Sequence, residues 1–153
     1  MLNSHYKDML QELSAHNVEY LVVGAIALAA HGIPRATGDI DIWVNATPEN
    51  SERIYRALGA FGAPLQELSQ DDFTGAEMVF QIGVVPLRID ILTAVDGVSF
   101  DEAWADKIIV DFDGLPMPVL SKKLMIQNKR ASGRLKDTLD LEALEKIEND
   151  GES

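Results

Sequence analysis

The sequence predicts an α/β fold: a mixed, twisted sheet of about five strands, helices packed on it, and a C-terminal helical pair. Three observations lead there. Short apolar runs of strand length recur along the chain, among them Glu19–Val23 and Leu87–Leu92. Segments of helical periodicity separate them, several opened by a residue that accepts hydrogen bonds from the first turn, such as Thr47 and Ser121. The Asp113-Gly114 pair between two further strand-like runs is a strong hairpin turn.

In chain order, residues 2–16 form an amphipathic helix with Leu2, Tyr6, Met9, Leu10 and Leu13 on one side and Asn3 or Ser4 as its cap. Glu19–Val23 is a buried strand. Ile26–His31 is a short, alanine-rich helix, stopped by Gly32 and Pro34. A strand through Asp39 and Asp41 follows. Thr47, Pro48 and Glu49 begin the next helix, which runs to Leu58. Residues 59–73 are irregular, and Asp71-Asp72 reads as a loop or cap. Glu77–Ile82 and Leu87–Leu92 are strands, 99–106 a helix, and 107–112 with 115–119 a hairpin. Helices follow over 122–131 and 134–148, divided at Gly133. The last offers Leu135, Leu139, Leu144 and Ile147 as an apolar side, and 148–153 reads as a frayed tail.

The 153 residues suggest one domain, residues 1–153, with 46% hydrophobic content and enough length to bury a core. No cysteine is present, which excludes disulfides and thiolate metal sites. No secretory signal or membrane-length apolar run is evident, so a cytoplasmic location without membrane attachment is expected. The net charge of −12 disfavours bulk nucleic acid as a partner, because that binding depends on neutralising phosphates with Lys and Arg.

The chemistry concentrates in Gly24–Asp41, GAIALAAHGIPRATGDID. Alternate strand side chains share a face, so Asp39 and Asp41 project together, their Cα atoms about 7 Å apart. Two such carboxylates can grip one hard divalent cation; Mg²⁺ takes oxygen ligands and leaves room for substrate phosphates. The other reading is the wetted face of a half-buried strand. Gly24 permits a tight strand-to-helix turn and close approach of a ligand; a turn made only for packing is the alternative. Arg35 and Thr37 occupy the loop before the acidic strand, where Arg35 either reaches a phosphate chain or is solvated. Asp90 sits between Ile89 and Ile91. A lone acid there needs a partner, either a metal shared with Asp39 and Asp41 or Arg88.

The pattern V-G-A-x-A-x-x-x-H-G-x-x-R-x-T-x-D-x-D, with Asp90 in LRIDIL, resembles the core signature of the polymerase β-like nucleotidyltransferase superfamily. It is most similar to its minimal members, many of them toxin–antitoxin components. In that family a Gly-Gly or Gly-Ser pair opens the helix. This chain has Gly24-Ala25 instead, which removes a hydroxyl and leaves only backbone contact with phosphates. The resemblance implies that Asp39, Asp41 and Asp90 are catalytic and hold Mg²⁺, with Mn²⁺ as a substitute, and that Gly24 and Ala25 meet the phosphates of an NTP, ATP among them.

Six of the 13 basic residues lie between Lys122 and Lys136, with no acid among them. In an acidic chain this reversal suggests a triphosphate contact, with Lys129 and Arg130 the leading candidates; solvated helix faces are the other reading. The family has a similar Lys/Arg helix followed by K-D-x-x-D, here Lys136, Asp137 and Asp140. The two acids are read as partners of the bases.

The function expected is Mg²⁺-dependent transfer of a nucleoside monophosphate from an NTP to a hydroxyl of a protein or small molecule, releasing pyrophosphate. A cognate toxin or antitoxin partner is implied by the resemblance. Two alternatives stand beside it. One is a non-catalytic binding or antitoxin-like regulatory protein on the same fold, which the Gly24-Ala25 departure favours. The other is a tRNA 3′-end nucleotidyltransferase, which the acidity disfavours.

Overall fold

The computed structural model describes residues 3–75 and 77–151, with side chains as far as residue 147. The first helix, α1 (Ser4–Ala15), is capped by Asn3, whose Oδ1 accepts from Tyr6 N at 2.9 Å. It buries Tyr6, Met9, Leu10 and Leu13. Leu2, assigned to the same side from the sequence, lies outside the described residues. Next come β1 (Tyr20–Val23), α2 (Gly24–Ala30), β2 (Asp39–Val44) and α3 (Pro48–Phe61). The second half contains β3 (Val79–Ile82), β4 (Arg88–Leu92), α4 (Phe100–Ala105), β5 (Ile108–Phe112), β6 (Leu115–Val119), α5 (Lys122–Ser132) and α6 (Leu135–Gly151).

The strands form one six-stranded sheet in the order β3-β4-β2-β1-β6-β5. It is mixed. The pairs β1–β2, β3–β4 and β5–β6 run antiparallel, whereas β1–β6 and β2–β4 are parallel. All six strand-like runs of the sequence join the sheet. The β5–β6 hairpin closes as the sequence suggested: Phe112 pairs with Leu115 around Asp113 and Gly114, whose φ angles are 53° and 86°. Positive φ at both central residues marks the hairpin turn whose twist matches its strands.

The two central strands set the layers. On β2, Ile40, Ile42 and Val44 are fully buried, while Asp39 and Asp41 alternate with them at intermediate exposure. Helices α1 and α3 pack on each other and contribute Leu10, Leu13, Ile54 and Leu58 to the same core as Ile40 and Ile42. Trp43 shares the face of Asp41 and meets Phe100 of α4 edge-on at 5.2 Å. Thr47 caps α3 and Ser121 caps α5, and both helices end on left-handed glycines, Gly62 and Gly133.

The structure shifts several boundaries and overturns one face. The second helix begins at Gly24 itself rather than at Ile26, because the left-handed glycine (φ 71°) turns the chain in a single residue. Strand β3 is shorter than 77–82. Asp72 caps its own loop, accepting from Ser69 N and Oγ at 2.9 Å.

The correction concerns α6. Leu135 and Leu139 are 80% and 59% exposed, and the buried positions are Asp137, Asp140 and Leu144. Three- and four-residue steps place those three on one stripe, whereas the five-residue step from Leu139 to Leu144 leaves it. Leu144 joins the core as expected, but ion pairs rather than Leu135 and Leu139 fix the first turns of α6. The helix continues to Gly151; the remainder of the tail expected over 148–153, residues 152–153, lies outside the described residues. Among the described residues no helix is long and apolar enough to cross a membrane.

Candidate active site

Strand register builds the acidic centre. Strands β2 and β4 run parallel with Asp39 opposite Arg88 and Asp41 opposite Asp90. Paired residues on adjacent strands point to the same face, so one face carries Asp39, Asp41, Arg88 and Asp90. Carboxylate oxygens of the three aspartates lie within 4.8 Å of one another. Asp90 is 6% exposed and Asp39 about a quarter.

Arg88 spans the cluster. Its Nη2 donates to Asp39 Oδ2 at 2.6 Å, and its Nε lies 3.1 Å from Asp90 Oδ1. The second contact is an ion pair without hydrogen-bond alignment, so Nε and Oδ1 are both buried without a hydrogen-bond partner. The carboxylate cluster that a shared metal would need and the Arg88 pair are present together. Thr37 completes the surroundings of Asp39: its hydroxyl lies 2.9 Å from Asp39 Oδ1 and 3.0 Å from Asp39 O.

One guanidinium does not balance three carboxylates. Burial, then the neighbouring charges of Asp39 and Asp90, push the Asp41 carboxyl up to about 7, and Arg88 offsets this only in part. An all-oxygen donor set, a buried oxygen lacking a hydrogen bond and uncompensated negative charge together fit a hard divalent cation. Asp39, Asp41 and Asp90 could hold one.

Gly24 makes room for this arrangement. A Cβ placed on it would come within 2.2 Å of Asp41 Oδ2. Its position therefore requires glycine twice, for left-handed backbone and for close approach of the carboxylate.

The acids open onto a cavity of about 590 Å³. Gly24, Ala25, Arg35, Thr37, Asp39 and Asp41 line it from the first half of the chain, and Asn128, Lys129, Arg134, Lys136, Asp137 and Asp140 from the helical pair. Met78, Val79, Leu92 and Val95 add an apolar ledge. Nothing in the sequence marked that ledge. Asp90 does not itself line the cavity.

A second acidic cluster faces the first across this space, and it is charge-matched. Asp137, 1% exposed, accepts from Lys129 Nζ at 2.9 Å and Arg134 Nε at 2.6 Å, and Ser132 Oγ also donates to it. Burial alone would raise its carboxyl. Hydrogen bonds from Lys129, Ser132 and Arg134 outweigh that and bring it to about 2. Asp140, fully buried, is ion-paired to Arg35 and lies 3.5 Å from Lys129 Nζ. These pairs tie the loop between α2 and β2 to α6.

The basic segment thus divides. Lys129 is 10% exposed and lines the cavity. Arg130 is 63% exposed, pairs with Glu145 at 2.7 Å, and lies off the cavity. His31, beside the signature glycine, has a packing contact: its Nε2 is 2.8 Å from Leu120 O.

No protein-family model and no curated protein matches the sequence. Solved structures do. TM1012 of Thermotoga maritima, a candidate nucleotidyltransferase, matches with a TM-score of 0.61 and 20% identity, over 98% of this chain and 96% of that one. The lincosamide antibiotic adenylyltransferase LnuA, solved with lincomycin bound, matches with a TM-score of 0.57 and 15% identity, over 96% of this chain and 98% of its own. Over nearly its whole length, the chain has the nucleotidyltransferase fold of these two proteins.

Proposed function

We propose that the protein transfers a nucleoside monophosphate from an NTP to a hydroxyl of a small molecule or protein, releasing pyrophosphate. The observation that carries this reading is the convergence of Asp39, Asp41 and Asp90 beside a cavity whose other side bears Arg35, Lys129 and Arg134. One side suits a divalent cation; on the other these bases, with Lys136, outnumber Asp137 and Asp140, which favours an anion. The fold shared with an adenylyltransferase supports it and makes ATP the first donor to test.

Bound Mg²⁺, or Mn²⁺ in its place, would supply positive charge against the triphosphate and the displaced oxygens. The remaining work falls to side chains and backbone of the chain itself. Gly24, bare of a Cβ beside Asp41, lets phosphate oxygens approach the backbone; Ala25 offers only its own N–H. Arg35 and Lys129 take the outer phosphates, Arg35 through its planar fork of donors. Thr37 steadies the Asp39 carboxylate. In the transfer, the acceptor oxygen bonds to the α-phosphorus as the bond to the departing pyrophosphate breaks. The hydroxyl proton passes into the acidic cluster, with Asp90, paired with Asp41 across β2 and β4, as its acceptor.

The acceptor follows from charge and shape. With 25 acidic against 13 basic residues, little positive surface remains to track a nucleic-acid backbone. The ledge of Met78, Val79, Leu92 and Val95 suits an apolar part of a small molecule; LnuA, of like fold, is a lincosamide adenylyltransferase. A protein hydroxyl, including one on a cognate toxin or antitoxin, is the other acceptor class in this proposal.

The test is incubation of the purified protein with each NTP labelled at its α-phosphate, with Mg²⁺ or Mn²⁺ and cell extract. The expected result is label transferred to an acceptor by the wild type and lost in Asp41→Asn. No transfer from any NTP, together with no NTP binding by titration calorimetry, overturns the proposal and favours a non-catalytic role for the fold.

A further inference from the structure

Asp39 is fully engaged before any metal arrives. Its Oδ1 faces the Thr37 hydroxyl at 2.9 Å and its Oδ2 the Arg88 Nη2 at 2.6 Å. The same guanidinium lies against Asp90 Oδ1 at 3.1 Å. Parallel register places Arg88 directly opposite Asp39 and two residues before Asp90, so a single side chain touches two of the three acids. Its charge is permanent, and its side chain is 31% exposed, which leaves it a way out to solvent.

A divalent cation of Mg²⁺ size requires these oxygens at about 2.0–2.1 Å. A guanidinium nitrogen hydrogen-bonded to the same oxygen at 2.6 Å competes for its lone pairs, and two positive groups so close repel. From this geometry we infer that Arg88 is a positioning residue that stands in for the metal: it holds Asp39 and Asp90 in the metal-free protein and is displaced from them when a divalent cation enters. The inference rests on the reading of Asp39, Asp41 and Asp90 as a metal site. Arg88 holds the two acids together without metal and lowers the affinity of the site for a free cation.

Calorimetric titration of Mn²⁺ alone into the wild type, Arg88→Gln and Lys136→Gln tests it. Lys136 is a second cation bordering the same cavity and reports the general effect of removing one charge. Arg88→Gln is expected to bind Mn²⁺ about tenfold tighter than the wild type, the scale of one charge-assisted hydrogen bond no longer competing, with a much smaller gain for Lys136→Gln. Equal or weaker binding by Arg88→Gln, or a gain no larger than that of Lys136→Gln, overturns the displacement while leaving the metal site standing. Absence of Mn²⁺ binding in both the wild type and Arg88→Gln overturns the metal reading and this inference together. Should Arg88→Gln fail to fold, Arg88→Lys keeps the charge but cannot span both acids. It is expected to bind Mn²⁺ more tightly than the wild type, and weaker binding contradicts the inference.

Discussion

Two clusters of aspartate border one cavity and obey opposite electrostatics. At Asp137 and Asp140, Lys129, Arg134 and Arg35 meet the acids directly, and the Asp137 carboxyl falls to about 2. At Asp39, Asp41 and Asp90, three acids share Arg88, and the Asp41 carboxyl rises to about 7. The first cluster is matched in charge, although the Asp140 oxygens are ion-paired without aligned hydrogen bonds, and it fastens α6 to the loop carrying Arg35. The second has unspent negative charge, and that deficit is what recommends it as a site. Buried acidity alone does not distinguish the two; the count of cations in contact does.

The comparison can be broken at several points. The largest effect is expected on activity. Asp39→Asn and Asp41→Asn should each lower nucleotidyl transfer by about 10²–10³-fold or more, the scale seen when a group stabilising transition-state charge is lost, with the circular-dichroism spectrum unchanged. Retention of wild-type turnover by either variant removes that residue from the chemistry.

Next in size is Gly24→Ala. The left-handed backbone should cost about 1–2 kcal/mol, and the new methyl must also push Asp41 aside. Urea denaturation should report the stability loss and Mn²⁺ titration a weaker site. Unaltered Mn²⁺ affinity would show that Asp41 is not held by this contact.

The pH dependence of stability should carry opposite signs at the two clusters. Asp41 has a raised carboxyl, so the native state binds more protons than the unfolded chain between about pH 4 and about pH 7. Metal-free stability from this group therefore falls as pH rises through that window. Asp137 has a lowered carboxyl; its contribution is whole above about pH 4 and is lost as pH falls toward 2. Saturating Mg²⁺ should abolish the first slope and leave the second. Denaturation midpoints measured across pH, with and without Mg²⁺, check both signs, and a Mg²⁺-independent slope between pH 4 and 7 would assign it elsewhere.

The smallest effect is expected at Arg130. Its pairing with Glu145 is exposed, so Arg130→Ala should change stability by less than about 1 kcal/mol and leave NTP affinity untouched, whereas Lys129→Ala weakens it. Equal losses from both would return Arg130 to the binding site.

Much of this was legible in the sequence because period is local. The strand period of two puts Asp39 and Asp41 on one face without any knowledge of the fold, and Asp113-Gly114 dictates its hairpin. Which strand lies beside which is not local. That Arg88 would face Asp39 follows from the β2–β4 register, a tertiary fact, so its bridge between two acids could not be read. The basic segment shows the same boundary. Lys129 and Arg130 are adjacent in sequence and about 100° apart around a helix, and only packing chose the inward one. On α6, Leu135 and Leu139 looked like the buried side by hydrophobicity. Asp137 and Asp140 took it because their cations were already waiting on α5 and in the Arg35 loop.

The account stands most directly on a single pair of variants compared without metal. Asp41→Asn and Asp140→Asn each remove one carboxyl group, one from the under-compensated cluster and one from the matched one. In chelator-treated protein, urea denaturation should show Asp41→Asn as stable as the wild type or more so. Asp140→Asn should lose about 3 kcal/mol, the low end for a broken buried pair, since Arg35 remains about a third exposed. A comparable loss of stability in both variants would mean that the Asp39, Asp41 and Asp90 cluster is as self-sufficient as its neighbour, and would contradict the reading of it as a site that awaits a cation.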